Sequence, residues 1–148
     1  ETDFDPARFR EGVDELIDGL KLDMVVVDAR GGLDAGTLPL LVVCDIMVAV
    51  ISLDRQDYQG TGVLVDLARR MEMPYITIVV NNVAGLYEVN EVRAEVGRVY
   101  DCQVSAVVPH VTTMAAPGES GIQAVDMPDN SAVLALEPVA TLVSAWKG

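Results

Sequence analysis

A lone carboxylate at the end of an apolar run, Asp28, is the strongest candidate for chemistry in this sequence. The apolar residues 24–27 predict a buried strand, and Gly31 and Gly32 follow Asp28 in a glycine turn. In parallel α/β folds ligands bind beyond the carboxyl ends of the strands, so an acid placed there faces a site rather than the core. Because glycine has no side chain, the turn lets the backbone approach whatever Asp28 holds.

Other polar residues lie at the ends of the remaining predicted strands. These are residues 52–56 after the second strand, Asn81 and Asn82 after the third, and Pro109 and His110 after the fourth. The carboxyl ends of parallel strands meet at one edge of a sheet, so a single crevice could collect these residues.

Each of these candidates also has a structural interpretation. Asp54 or Asp57 is typical of a helix cap, and an Asn pair is typical of a turn. His110, the only histidine, could serve as a base or metal ligand. No Ser, Cys or carboxylate is tied to His110 by motif spacing, which favours a loop histidine with satisfied hydrogen bonds.

Alternating helical and strand patterns predict an α/β fold in one domain, residues 1–148, with a mainly parallel sheet of about four strands and helices on both faces. The predicted strands are 24–27, 46–51, 75–80 and 104–108. Helices are predicted after the cap Asp5 and at 37–44, 59–71, 89–100 and 131–146, with a Gly/Pro-rich loop at 116–130. Pro138 should kink or split the last helix.

Composition narrows the classes of partner. A net charge of −13 repels phosphate backbones and anionic membranes, so we expect no nucleic acid ligand. Cys44 and Cys102 form no CxxC motif and adjoin apolar segments, which favours reduced thiols and a cytoplasmic protein. The last helix has only Lys147 as a cation, so it should dock on the sheet through Leu142 and Trp146 rather than bind a membrane.

Four segments follow one another in an order and at element lengths typical of one family. They are VVVDARGGLDAGTLPLL, DIMVAVISLDRQDYQGTGVLVDLARR, ITIVVNNV and AVVPH. Together they resemble the second half of a MinD/ParA-type ATPase, the P-loop class with a deviant Walker A motif, over nearly the whole chain. The family carries D-x-x-x-G, an Asp before the next strand, an Asn followed by a basic residue, and an I/V-P segment. Those places are occupied here by Asp28 with Gly32, Asp45, Asn81, and Val108 with Pro109.

The resemblance implies a role for each of these residues. Asp28 would hold a magnesium ion through water, and Gly32 would belong to the loop that senses the γ-phosphate of ATP. Asn81 would contact adenine, with Asn82 in the place of the family's basic residue. Pro109 and His110 would line the base pocket. The implied activity is ATP hydrolysis in a nucleotide-sandwiched homodimer that positions or assembles structures in the bacterial cytoplasm.

The phosphate-binding half of such a site is missing from the sequence. No GxxxxGK[ST] or GxGxxG motif occurs in the 148 residues, so this chain alone should not hydrolyse ATP. Another chain or upstream sequence would have to supply that half, so the predicted partner is a second copy in a homodimer or a chain that carries the P-loop half. An alternative interpretation is a nucleotide-independent acidic scaffold with a lapsed ATP site, which binds a basic protein partner.

The resemblance also has a consequence for the sheet. In this class, the phosphate-loop strand lies between the strand ending at Asp28 and the strand beginning at Ile46. Unpaired buried backbone costs about 1–3 kcal/mol per group. We therefore expect these two strands to close up and pair directly when the chain folds alone.

Overall fold

The computed structural model describes residues 5–32, 37–112 and 122–146. In those ranges the chain forms six helices and three strands. The helices are α1 (Pro6–Leu20), α2 (Thr37–Val43), α3 (Arg55–Arg70), α4 (Val89–Tyr100), α5 (Gln123–Asp126) and α6 (Ser131–Ala145), and the strands are β1 (Ile46–Ile51), β2 (Tyr75–Val83) and β3 (Gln103–Pro109). The predicted α/β class is confirmed, with one strand fewer. Residues 116–121 of the predicted loop lie outside the described residues.

The strands form a parallel sheet in the order β1-β2-β3. Parallel neighbours need a crossover connection, and α3 and α4 supply the two crossovers. β2 is therefore the central strand, bonded on both sides along most of its length. All three strands end at the same edge of the sheet, which is the arrangement that the predicted site requires.

Helices cover both faces of this sheet, as predicted. On one face Ile78 of β2 packs with Val96 and Tyr100 of α4 in the largest buried cluster. On the other face Val79 of β2 packs with Ala132 of α6. Strands buried on both faces carry continuous apolar runs, and the sequences of β1, β2 and β3 have this pattern.

Side-chain caps fix where three of the helices begin. Asp5 accepts hydrogen bonds from the first backbone N–H groups of α1, and Asn130 does the same for α6. Asp54 accepts from the N–H groups of Gln56 and Asp57, both at 2.9 Å, and so begins α3. Capping oxygens satisfy donors that have no partner within the helix. One candidate acid after β1, Asp54, therefore starts a helix.

The two crossover helices are joined by polar contacts around Tyr100. Its hydroxyl donates to the backbone carbonyl of Tyr58 at 2.9 Å. Arg69 of α3 donates to the carbonyls of Tyr100 and Asp101 at 2.6 and 2.7 Å. These carbonyls lie at the end of α4, where a cation is favourable and where the last acceptors lack partners within the helix.

The predicted strand at 24–27 is wrong. These residues form no strand, Val26 is 79% exposed, and none of the described backbone hydrogen bonds involves residues 24–29. Helix contacts set the path of the segment instead, because the N–H of Leu22 donates to Ile17 of α1 and the hydroxyl of Thr37 in α2 donates to the carbonyl of Arg30.

Direct pairing between this segment and β1 is wrong for the same reason. Among the described residues β1 pairs only with β2, and Val50 of β1 is 63% exposed. An apolar run becomes a strand only where a second backbone supplies its hydrogen bonds. We call the unpaired side of β1 the open edge of β1.

The last helix docks on the sheet as expected, but Pro138 does not split it. α6 is continuous from Ser131 to Ala145 across Pro138. A proline removes one backbone donor from a helix, and the buried face of α6 against the sheet compensates for that loss. The ring of Trp146 packs at a tilt against that of Tyr75, with ring centroids 5.3 Å apart. None of the helices within the described ranges is long and apolar enough to cross a membrane.

An exposed strand edge with apolar neighbours promotes association between copies. We expect Val50→Lys to reduce self-association of the isolated chain, because a charge on an edge strand opposes pairing with another edge. Sedimentation velocity over a concentration series measures the effect. Val63→Lys on α3 is the matched control, since Val63 is 56% exposed but lies outside the sheet. Equal effects of both substitutions would contradict an association through β1.

The buried Tyr100 phenol predicts a loss of stability at alkaline pH. Burial, with further contributions from Tyr58 and Asp57, raises the pKa of the Tyr100 phenol to about 12. The unfolded phenol titrates near pKa 10, so the stability contribution is complete below about pH 10 and is lost as pH rises toward about 12. Urea unfolding measured across this pH range should show a smaller loss of unfolding free energy in Tyr100→Phe than in the parent. Parallel losses in the two proteins would contradict this account.

Candidate functional site

Four of the candidate residues lie at the carboxyl edge of the sheet. Asn81 and Asn82 belong to the last part of β2 itself, rather than following it as predicted, and Pro109 is the last residue of β3. Pro109 is aligned with Val83, one residue beyond the Asn pair. The structure therefore brings four sequence-predicted residues, Asn81, Asn82, Pro109 and His110, to the adjoining ends of two neighbouring strands.

Asn82 and His110 form the closest side-chain contact of this group. The Nδ1 atom of His110 lies 2.6 Å from Oδ1 of Asn82, and the His110 backbone N–H donates to the Val83 carbonyl at 2.8 Å. An amide oxygen can only accept a hydrogen bond, so Nδ1 must carry the proton. In the neutral ring the lone pair is then on Nε2. This arrangement supports the predicted loop histidine with satisfied hydrogen bonds and leaves Nε2 as an acceptor.

The backbone at the Asn pair is irregular. The register between β2 and β3 shifts between Val80 and Val83, and Asn82 has a φ of 60°. Asn is one of the few residues that tolerate this left-handed region, and irregularities of this kind re-aim side chains at the ends of strands. Both amides are exposed, so this edge presents hydrogen-bond donors and acceptors to solvent.

Asp28 and Gly32 lie in the irregular segment rather than at the end of a strand. Asp28 is exposed, and none of the described hydrogen bonds involves its carboxylate. Gly32 has a φ of +100°, a conformation that L side chains rarely adopt, whereas Gly31 does not. The backbone conformation therefore requires glycine at position 32 but not at position 31. The structure does not join Asp28 to the Asn82–His110 pair.

The acids after β1 have structural roles. Asp54 caps α3, and the Oδ2 atom of Asp57 accepts from the backbone N–H of Ser52 at 2.8 Å. These contacts confirm the helix-cap interpretation of Asp54 and tie the end of β1 to the start of α3. Within residues 5–32, 37–112 and 122–146, no three His, Cys, Asp or Glu side chains gather as a metal-binding group.

Both cysteines are free and half-buried, which agrees with the predicted thiols. Burial raises the pKa of the Cys44 thiol and of the Cys102 thiol. A raised pKa lowers the fraction of thiolate, the nucleophilic form, so neither position has the character of an activated cysteine.

No protein-family model matches the sequence, and the search of curated proteins finds no match. Solved structures are similar in fold. The MinD cell division protein of Aquifex aeolicus superposes with a TM-score of 0.79 at 14% sequence identity, over 98% of this chain and 63% of that one. The MinC:MinD cell division protein complex of Aquifex aeolicus gives a TM-score of 0.78 at 14% identity, over 99% and 62% of the two chains.

The chain has a MinD-like fold. The predicted partial P-loop NTPase fold is thereby confirmed. The chain spans less than two thirds of the length of these MinD structures, although nearly all of it is matched. An identity of 14% establishes the fold alone, so the roles implied for Asp28, Gly32, Asn81, Asn82, Pro109 and His110 stay predictions.

The Asn82–His110 contact predicts the state of the only imidazole in the chain. We expect the ¹⁵N chemical shifts of neutral His110 to show a proton on Nδ1, because Asn82 Oδ1 accepts from that atom. Asn82→Leu should shift the population toward the Nε2-protonated form, whereas Asn81→Leu should not. An Nε2-protonated ring in the parent protein would contradict the contact.

Proposed function

We propose that this chain is the switch and adenine-binding half of a MinD/ParA-like ATPase that positions or assembles cellular structures. The observation that carries the proposal is the MinD-like fold over 98% of the chain, with exposed Asn81, Asn82 and His110 at its carboxyl edge. Ligands of open α/β sheets bind at that edge. In this proposal the chain binds the base and the metal, and the phosphates are held by residues outside it.

The side chains at the edge suit the base of a nucleotide. Adenine presents both donors and acceptors along its rim, and the exposed amide of Asn81 can supply both kinds of partner. Nε2 of His110 adds an acceptor, because Asn82 occupies Nδ1. Pro109, which is half-buried beside them, gives the base an apolar contact.

A single exposed carboxylate is also compatible with magnesium. Mg²⁺ keeps most of its waters and takes one or two protein carboxylates, so Asp28 would hold it through water. When bound with ATP, magnesium neutralises charge on the phosphates. The phosphates themselves do not fit this chain alone, because no glycine-rich phosphate loop occurs in its sequence.

The open edge of β1 is where the missing half would attach. Among the described residues β1 is unpaired on one side and its Val50 is 63% exposed, and Met24, Val26 and Val27, which precede Asp28, are exposed as well. A strand inserted along β1 would satisfy its backbone groups and cover these side chains. We propose that this strand carries the phosphate loop and comes from residues outside these 148, in the same protein or in another chain.

The proposed biological role follows from the structural neighbours. One of them is a MinC:MinD complex, and by analogy we propose that this protein also acts with a protein partner and as a homodimer. Positioning of a cellular structure in the bacterial cytoplasm is the role proposed from the MinD likeness.

The acidic scaffold is the second candidate function. Asn82 Oδ1 and His110 Nδ1 are already bonded to one another, and the net charge is −13. A strongly acidic chain in which this pair is engaged internally suits recruitment of a basic partner without nucleotide. The two candidate functions differ in whether this chain binds the adenine base.

If this chain binds the adenine base but not the phosphates, it should bind adenosine and Mg-ATP with similar millimolar affinity. NMR titration of the ¹⁵N-labelled chain, with guanosine for comparison, measures this. We expect adenosine to perturb Asn81 and His110, and Asn81→Ala to weaken binding about fivefold, the effect of one hydrogen bond of about 1 kcal/mol.

Asn90→Ala is the matched control, since Asn90 is an exposed amide in the first turn of α4 and is not one of the proposed contact residues. It should leave adenosine binding unchanged. No perturbation by adenosine at millimolar concentration, or equal losses in both Asn variants, would exclude the base-binding half and favour the acidic scaffold.

A further inference from the structure

The imidazole of His110 has one engaged nitrogen and one open nitrogen at the carboxyl edge of the sheet. Nδ1 lies 2.6 Å from Oδ1 of Asn82, whereas none of the described hydrogen bonds involves Nε2. Because an amide oxygen only accepts, the neutral ring carries its proton on Nδ1 and a lone pair on Nε2. The residue is exposed, so this lone pair is an acceptor that a ligand can reach.

The backbone holds both members of this pair. The His110 N–H donates to the Val83 carbonyl at 2.8 Å, which anchors the residue to the end of β2. Asn82 has a φ of 60°, and the register of β2 against β3 shifts between Val80 and Val83. Such irregularities re-aim side chains, and here the amide oxygen meets the ring. Nε2 is therefore an acceptor in a defined position.

Metal binding and base catalysis do not fit this imidazole. Within the three described ranges, no group of three His, Cys, Asp or Glu side chains could hold a metal ion. A histidine that activates a nucleophile has a hydroxyl or thiol within hydrogen-bond reach, but the side chain bonded to His110 is the Asn82 amide. Recognition of a hydrogen-bond donor on a ligand is the role that this geometry supports.

Adenine carries a donor where guanine carries an acceptor. Position 6 holds an amino group in adenine and a carbonyl oxygen in guanine. The exposed Asn81 amide both donates and accepts, so it can pair with either base, whereas Nε2 of His110 only accepts. We infer that Nε2 of His110 accepts a hydrogen bond from the 6-amino group of adenine, and that Asn82 is the positioning residue that keeps this nitrogen an acceptor. The inference rests on the proposed function and adds to it the residue that selects adenine.

A double-mutant cycle between ligand and protein tests the contact in the 148-residue chain. Purine riboside differs from adenosine only in lacking the 6-amino group. NMR titration should show that it binds the parent about fivefold more weakly than adenosine, the effect of one hydrogen bond. In His110→Phe, which keeps an aromatic ring, the two nucleosides should bind equally. Asn81→Ala is the matched control, and it should weaken both nucleosides while keeping the ratio of their affinities.

Two substitutions that tolerate the φ of 60° at Asn82 test its positioning role. Asn82→Asp keeps an oxygen that accepts from Nδ1, so the preference for adenosine should remain when it is measured at about pH 8.5, where an imidazole is neutral. Asn82→Gly removes this acceptor, so the preference should be lost and the ¹⁵N shifts should show a mixture of tautomers. Weakening of adenosine and purine riboside by the same factor in Asn82→Gly would overturn the positioning role.

The outcomes separate this inference from the proposed function. Equal binding of adenosine and purine riboside to the parent, or a preference for adenosine that survives in His110→Phe, would overturn the inference while base binding stands. A proton on Nε2 in the parent would do the same, because His110 would then be a donor at that position. If neither nucleoside perturbs Asn81 and His110 at millimolar concentration, the proposed function and the inference are overturned together.

Discussion

Backbone hydrogen bonding in a parallel sheet is the constraint on which this structure depends. β2 has a bonded neighbour on each side, whereas β1 and β3 each have one among the described residues. Only β2 therefore has its backbone satisfied from both directions, and the largest buried cluster forms around it. Because the strands are parallel, their ends meet at one edge, which places Asn81, Asn82 and His110 together.

The two outer sides of the sheet have different surroundings. At β3, Arg93 covers one backbone acceptor and α6 forms a wall, which leaves a groove rather than a flat edge. At β1, Val50 is exposed, and three apolar residues of the segment before Asp28, Met24, Val26 and Val27, are exposed as well. A globular domain rarely leaves so much apolar surface uncovered beside unpaired backbone. This contrast is the physical basis for placing the missing half at β1.

Local sequence patterns determined much of the fold. The bounds predicted for β1 and α4 match the structure, because a continuous apolar run and a helical repeat are both local signals. Asp5 begins α1 as predicted, since a capping oxygen acts within a few residues. Pro138 does not break α6 as predicted, because the packing of α6 on the sheet outweighs one lost hydrogen bond.

Features that depend on distant residues could not be predicted in the same way. Residues 24–27 have a strand-like composition, but a strand also needs a partner, and none of the described strands pairs with them. The Asn82–His110 contact joins residues 28 positions apart, and no spacing rule indicates it. Asn81, Asn82, Pro109 and His110 are predicted from their positions at strand ends, and the parallel topology brings these four to one edge, whereas Asp28 is not among them.

Hydrogen exchange of the backbone amides, resolved by residue, tests the central claim that the sheet is open at β1. The account predicts strong protection along β2, and fast exchange both for residues 24–29 and for the β1 amides that point away from β2. Protection of residues 24–27 together with those outward β1 amides would show that the two segments pair directly. The isolated chain would then be a closed sheet with no place for a phosphate-loop strand.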